Sequence, residues 1–187
     1  MDLTEKTVAE HLVFDGRILK VYNDDVALSD GTPCRREIVR HPGGAAVLLV
    51  LDGKALLVRQ YRYAYGEELW EIPAGKIERG TTEDPAVCAA RELAEETGYL
   101  AASMISLGIL YPSPGYTDER LRLYLCTDAE KGEAHPDDGE QLCLEWFDLT
   151  ALAKAIRDNK IRDAKTVAAV LSYFTFYDEH GSARNVK

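Results

Sequence analysis

The chain has 187 residues, 46% of them hydrophobic, and a formal net charge of −10. That length suits one well-buried core and is short for two. The acidic balance argues against a nucleic-acid backbone or an anionic membrane as the main partner, since both are held through basic patches, and leaves open a small anionic substrate bound through metal and a few arginines.

From His11 to Val39 the pattern predicts short strands, with turns at Asp15-Gly16 and Ser29-Asp30-Gly31-Thr32-Pro33. Residues 1–40 are read as a small N-terminal β-sheet region and 41–187 as the main domain. After Pro42-Gly43-Gly44, the apolar runs Ala45 to Leu51 and Lys54 to Gln60 flank Asp52-Gly53, a strong hairpin signal. Asp84-Pro85 opens a helix with an N-cap followed by proline in the first turn, and Gly98 suits its C-terminal cap. Ala86, Ala90, Leu93 and Thr97 are expected to form its packing face. Leu121, Leu123 and Leu125 alternate with Arg120, Arg122 and Tyr124 as in a half-buried strand, and Leu142 to Phe147 reads as another. Two helices follow, Thr150 through Arg157 and Asp163 through Tyr177, the second with Asp163 as its N-cap. Strands, helix, strands and helices in that order give an α/β fold with a mixed sheet between helices.

Cys34, Cys88, Cys126 and Cys143 lie far apart with no CxxC pair, and the N-terminus has neither the basic flank nor the apolar run of a signal peptide. Reduced thiols in a cytoplasm are expected, each packed as a small apolar residue. The longest apolar stretches, 45–51 and 167–174, are too short to cross a bilayer, so a soluble protein is expected.

The chemistry is concentrated in Arg91-Glu92-Leu93-Ala94-Glu95-Glu96-Thr97-Gly98-Tyr99. Helical i, i+3 and i+4 offsets put Glu92, Glu95 and Glu96 on one face, where like charges repel unless a cation neutralises them. Hard carboxylate oxygens suit Mg²⁺ or Mn²⁺, which keep positions for water and phosphate oxygens. Alone, the triplet would read as a solvated helix face. It is preceded, however, by Gly75-Lys76-Ile77-Glu78-Arg79-Gly80-Thr81-Thr82-Glu83, with seven residues between Glu83 and Arg91. The whole string resembles the Nudix box, the loop-helix-loop metal site of hydrolases acting on nucleoside diphosphates linked to another moiety. One departure is that seven residues separate Gly75 from Glu83, two more than the family pattern, placed most simply at Thr81-Thr82. Tyr111-Pro112-Ser113-Pro114-Gly115-Tyr116, with Pro114 sixteen residues after Gly98, resembles the ADP-ribose pyrophosphatase branch, as do Val58-Arg59-Gln60-Tyr61-Arg62 and Glu71-Ile72-Pro73-Ala74-Gly75.

The resemblance spans roughly Val39 to Tyr173 and implies an α/β/α sandwich and a set of roles. Glu92, Glu96 and the carbonyl of Ala74 would ligate metal, with Glu95 sharing a second metal or orienting water. Arg91, able to pair with Glu95 at i+4 or with Glu83, would hold the carboxylates in place. Arg62 matches a diphosphate-contacting arginine, Glu119 a ribose-contacting position, and Pro114 the substrate-binding Ser-Pro-Gly element. The base would come from the acidic loop at His135 to Glu140, with Glu140 first and Asp138 second. His11, His41, His135 and His180 share no metal-ligand spacing. Trp70 and Trp146 are read as core residues, and Val13, Phe14 and Tyr22 as options for base stacking. The implied reaction is Mg²⁺-dependent hydrolysis of ADP-ribose to AMP and ribose 5-phosphate by a homodimer, its N-terminal region serving dimerisation and base recognition. Another nucleoside diphosphate sugar such as GDP-mannose, or ADP-ribose binding without turnover, are the alternatives. The intact glutamate triplet speaks against the latter, and the lack of a basic strip against RNA decapping.

Overall fold

The computed structural model describes residues 1–77, 83–136, 139, 141–177 and 182–184. It divides into two units, Met1–Gly43 with Tyr111–Arg120, and Gly44–Leu110 with Leu121–Lys187. The Thr81-Thr82 insertion lies outside the described residues.

The first unit is an antiparallel sheet of β1 (Lys6–Ala9), β2 (Leu12–Asp15), β3 (Lys20–Ala27) and β4 (Pro33–Arg40). β3 is its spine: β4 pairs along its whole length, while β1 and β2 take opposite halves of the other edge. Where β1 hands over to β2, the buried Asp24 accepts the His11 backbone N–H at 3.0 Å, so the ladder's interruption leaves no bare donor there. β1 precedes the first strand expected from sequence. Its residues are mostly exposed, so it carries no apolar alternation to read. The segment 111–120 runs beside the end of β4: Val39 donates to the Tyr116 carbonyl at 2.7 Å, and the Asp118 carboxylate accepts the His41 N–H at 2.9 Å.

The second unit begins with the hairpin of β5 (Gly44–Leu51) and β6 (Lys54–Arg62), whose turn places Asp52 and Gly53 at φ 49° and 72°. Two positive φ values make the Asp-Gly pair the right chemistry for a tight turn matching strand twist. β7 (Glu67–Glu71) and β8 (Ala74–Lys76) lead to α1 (Pro85–Thr97). Then come β9 (Tyr99–Ala101), β10 (Ile105–Leu110), β11 (Leu121–Cys126), β12 (Ala129–Lys131), β13 (Cys143–Asp148), α2 (Leu149–Arg157) and α3 (Ala164–Phe176). The main sheet runs β10-β11-β5-β6-β13, with β7 on β6 and β8 on β5; β11 and β5 are parallel, making it mixed.

β5 reads as a continuous apolar run because both its faces are covered. Ala45, Val47 and Leu49 pack with Cys88, Ala89 and Leu93 of α1, whereas Ala46, Leu48 and Val50 pack with Leu149, Leu152, Ala169, Val170 and Tyr173 of α2 and α3. This is the α/β/α sandwich. β11 is covered more fully than its alternation suggested, since Tyr124 packs on the α1 side and Cys126 is buried. The packing face of α1 is likewise shifted, with Cys88, Ala89, Leu93, Glu96 and Thr97 buried. Trp70 meets Phe147 edge-on at 5.0 Å and Trp146 meets Tyr99 at 5.6 Å, so both indoles pack in the fold. Cys143, by contrast, is exposed. Among the described residues no helix is long and apolar enough to cross a membrane.

Candidate active site

Asp84 caps α1 by accepting the Ala86 N–H at 2.7 Å, Pro85 starts it, and Gly98 ends it at φ 74°. Those stops fix the ends of the helix, and the packing of Cys88, Ala89 and Leu93 on β5 sets the face on which its three glutamates lie. Arg91 is their hub: Nη1 donates to Glu92 Oε1 at 2.7 Å and to Glu95 Oε2 at 2.8 Å, while Nε and Nη2 meet the two oxygens of Glu83 at 3.0 and 3.4 Å. Both pairings considered from sequence are therefore made at once. Burial alone would weaken the guanidinium's hold on its proton, but the hydrogen bonds to Glu83 and the charge of Glu92 outweigh it and raise its pKa. Arg91 neutralises part of the crowded charge and fixes the carboxylates of Glu83, Glu92 and Glu95 in one geometry. Beside it, burial with the charge of Glu83 pushes the Cys88 thiol up to about 12, which leaves it inert as a nucleophile.

The helix delivers its carboxylates to β8. Gly75 is pressed against Glu92 so closely that a Cβ there would lie 1.9 Å from the carboxyl carbon. Glu96, only 4% exposed, accepts the Ala74 backbone N–H at 3.3 Å. Ala74 and Gly75 pair with Ala46 and Ala45 of β5, so the sheet holds the floor of this arrangement. Glu92, Glu96 and the Ala74 backbone are thus brought together.

Arg62 is also held, by a partner that sequence reasoning did not find. Its Nε and Nη2 donate to the two oxygens of buried Glu71, each at 2.6 Å. Glu71 further accepts from Lys165 Nζ, which also reaches Asp163 Oδ1 at 3.0 Å. Asp163 caps α3, and the Thr166 hydroxyl donates to Asp163 at 2.6 Å while accepting the Ile72 N–H at 2.8 Å. α3 is thereby tied to residues 71–72, immediately ahead of β8.

Pro114 and Glu119 belong to the first unit. Pro114 sits in a turn closed by the Tyr116 and Thr117 N–H groups on the Ser113 carbonyl at 3.3 and 3.2 Å, and Glu119 lies 3.6 Å from His41 Nδ1. Val13 and Phe14 are exposed, and Tyr22 lies under Arg40 at 6.0 Å. Glu140, Asp138 and His180 lie outside the described residues. His135 donates its backbone N–H to the Glu95 carbonyl at 2.8 Å, which anchors the start of the acidic loop on α1.

Among the described residues, no three His, Cys, Asp or Glu side chains are gathered closely enough to cage an ion. The donor set still fits Mg²⁺ or Mn²⁺, because a small hard cation needs only one or two carboxylates beside water and substrate phosphate. Glu92 and Glu96 reaching the same short strand supply that kind of partial set.

Comparison with known proteins identifies the family of the chain. A family model described as the NUDIX domain matches residues 40–170. The chain is 39% identical over 171 residues to the ADP-ribose pyrophosphatase of Bacillus subtilis strain 168, covering 90% of this chain and 91% of that one. It is 43% identical over 169 residues to the methanol dehydrogenase activator of Bacillus methanolicus, covering 89% and 90%. The crystal structure of an ADP compounds hydrolase superposes with a TM-score of 0.80 at 23% identity, covering 93% of this chain and 95% of that one, a likeness of fold. With a family model matching residues 40–170 and a relative 39% identical over nine-tenths of both chains, the chain belongs to the NUDIX domain family.

Proposed function

We propose that this chain is a metal-dependent pyrophosphohydrolase that cleaves ADP-ribose to AMP and ribose 5-phosphate. The observation that carries the reading is the convergence of Glu92 and Glu96 on Ala74-Gly75, with Arg91 locking the carboxylate face. The relationship to an ADP-ribose pyrophosphatase across nine-tenths of both chains supports the substrate.

Hydrolysing a pyrophosphate requires neutralisation of phosphate charge and an activated water. Nudix hydrolases generally need divalent metal ions, and Mg²⁺, with Mn²⁺ as a substitute, would supply both functions here. Glu92, Glu96 and the Ala74 carbonyl would hold it, and Glu95 would orient water or share a second ion. Arg91 holds Glu92 and Glu95 in place together with Glu83. Arg62 would meet the diphosphate through the rest of its guanidinium fork, a planar donor suited to phosphate oxygens. Pro114 and Glu119 are assigned to substrate binding, the latter at the terminal ribose. Glu140 is assigned as the base that takes the proton from water, with Asp138 next. The enzyme is assigned as a cytoplasmic homodimer in which residues 1–40 serve dimerisation and base recognition.

Phosphate release through a coupled phosphatase should be measured with ADP-ribose, ADP-glucose, GDP-mannose, NADH and diadenosine polyphosphates, in Mg²⁺ and in EDTA. EDTA-sensitive turnover of ADP-ribose above the others supports the reading. A preference for GDP-mannose would keep the site and overturn the substrate, and silence across the panel would favour a binding module. The 43% identity to a methanol dehydrogenase activator motivates a second reading, stimulation of a dehydrogenase; a methanol dehydrogenase assayed with and without the chain tests it.

A further inference from the structure

Lys165 is only 8% exposed, and a lysine that deep needs anionic partners to stay charged. It has Glu71 and Asp163. Glu71, 2% exposed, is gripped from Arg62 by two parallel hydrogen bonds, while the Arg62 side chain remains 40% exposed. The cluster thus runs from a buried lysine through a buried carboxylate to an arginine that reaches solvent. We propose that Lys165 is a positioning residue of the diphosphate subsite, acting through Glu71 to hold the Arg62 guanidinium in one plane with its charge available to phosphate. The inference rests on the assignment of Arg62 to the substrate diphosphate.

Two physical arguments carry it. The first is geometric. A long arginine side chain is fixed by a bidentate carboxylate only as well as that carboxylate is itself fixed. Glu71 ends β7, and the contact from Lys165 pins its Oε2 from a second element, α3. The joint is tight, because the neighbouring Ile72 N–H is bonded to Thr166 and both Lys165 and Thr166 are bonded to the Asp163 cap. The second is electrostatic. Facing Glu71 alone, Arg62 would have its charge cancelled by its own anchor. With Lys165 on the same carboxylate and Asp163 paired in turn with Lys165, the four groups Glu71, Asp163, Arg62 and Lys165 sum to zero, whereas loss of Lys165 would leave the cluster with one negative charge in excess. Lys165 thereby keeps an uncompensated negative charge from building up behind the Arg62 guanidinium, whose exposed end is the part that would meet an anion. An ion pair serving stability alone has no bearing on phosphate affinity.

The test compares wild type with Lys165→Met, Lys165→Arg, Arg62→Ala and the Arg62→Ala/Lys165→Met double variant. ADP-ribose affinity is measured by calorimetry in EDTA, and KM and kcat in Mg²⁺. Lys165→Met should weaken binding and raise KM about 10-fold while kcat stays within about threefold, Lys165→Arg should recover most of the loss, and Lys165→Met should add nothing once Arg62 is gone. Wild-type affinity in Lys165→Met, whatever its melting temperature, overturns the proposal, as does an undiminished loss in the Arg62→Ala background. Wild-type affinity in Arg62→Ala would instead strike the Arg62 assignment itself. Should Lys165→Met fail to fold, Glu71→Gln takes its place and must raise KM in the same manner, a wild-type KM overturning the idea.

Discussion

Gly75→Ala tests the site by adding one methyl group. The new Cβ would lie 1.9 Å from Glu92 Cδ, 2.0 Å from Oε1 and 2.3 Å from Oε2. Contacting heavy atoms prefer about 3.5 Å, so the carboxylate has to retreat by roughly 1 to 2 Å. What yields is the tip of a flexible side chain, and a rotamer displacement of that kind costs about 1 kcal/mol. Gly75 is not among the glycines at positive φ and pairs regularly with Ala45, and alanine in a strand regains about 0.5 to 1 kcal/mol over glycine. The two nearly cancel, so global stability should change by no more than about 1 kcal/mol. Activity should not be spared. Displacing Glu92 disturbs its 2.7 Å contact with Arg91 and pushes it away from β8 at Gly75, and a misplacement of about 1 Å at a reacting centre is worth about 100-fold. Urea unfolding together with kcat for Mg²⁺-dependent ADP-ribose hydrolysis gives both numbers. A variant within about threefold of wild-type activity would refute the claim that the Glu92 position matters, and a loss of several kcal/mol would refute the claim that Gly75 serves the site more than the fold.

Three further perturbations separate chemistry from architecture. Glu96→Gln keeps an acceptor for the Ala74 N–H and removes an anionic ligand, so turnover should fall by about 100-fold or more at nearly unchanged melting temperature; unfolding alongside inactivity would assign Glu96 to structure. Gly98→Ala should do the reverse, because φ is 74° and its Cβ would meet the backbone of Gly132, Glu133 and Ala134 at 2.8 to 2.9 Å. A loss of about 2 kcal/mol or more in urea titration is expected, and wild-type stability would contradict it. Burial opposes ionisation of Glu71, but the hydrogen bonds from Arg62 and the charge of Lys165 outweigh it and lower its pKa below the ordinary 4.5. A depressed carboxylate contributes fully above the ordinary value and loses its contribution as pH falls through the folded one. The stability gap between wild type and Glu71→Gln should therefore narrow as pH is taken below 4.5, and parallel profiles down to acid unfolding would contradict it.

What could be read from sequence is what neighbouring residues specify. α1 was legible end to end, since Asp84-Pro85 and Gly98 are local stop signals and the carboxylate face follows from helical spacing within one turn. The β5-β6 hairpin was legible for the same reason. The seat of the site was reached only through the family resemblance, which grouped Ala74 with Glu92 and Glu96; local pattern does not give it, because the closeness of Gly75 to Glu92 and of Ala74 to Glu96 arises only when β8 pairs with β5 beneath α1. Nor does it give the Lys165 to Glu71 contact, which spans 94 positions between two charges that each look like ordinary surface residues. One local signal did point there. Lys165 is the second residue of α3, and a cation in the first turn of a helix works against the macrodipole, which favours anions at that end. Sequences that fold well are mostly consistent from level to level, so a charge on the wrong end of a helix implies a compensating partner elsewhere. Here Asp163 supplies part of that compensation within the helix cap, and Glu71 supplies the rest from across the fold. The conflict is local, its resolution is tertiary, and it leads to the residue that anchors Arg62.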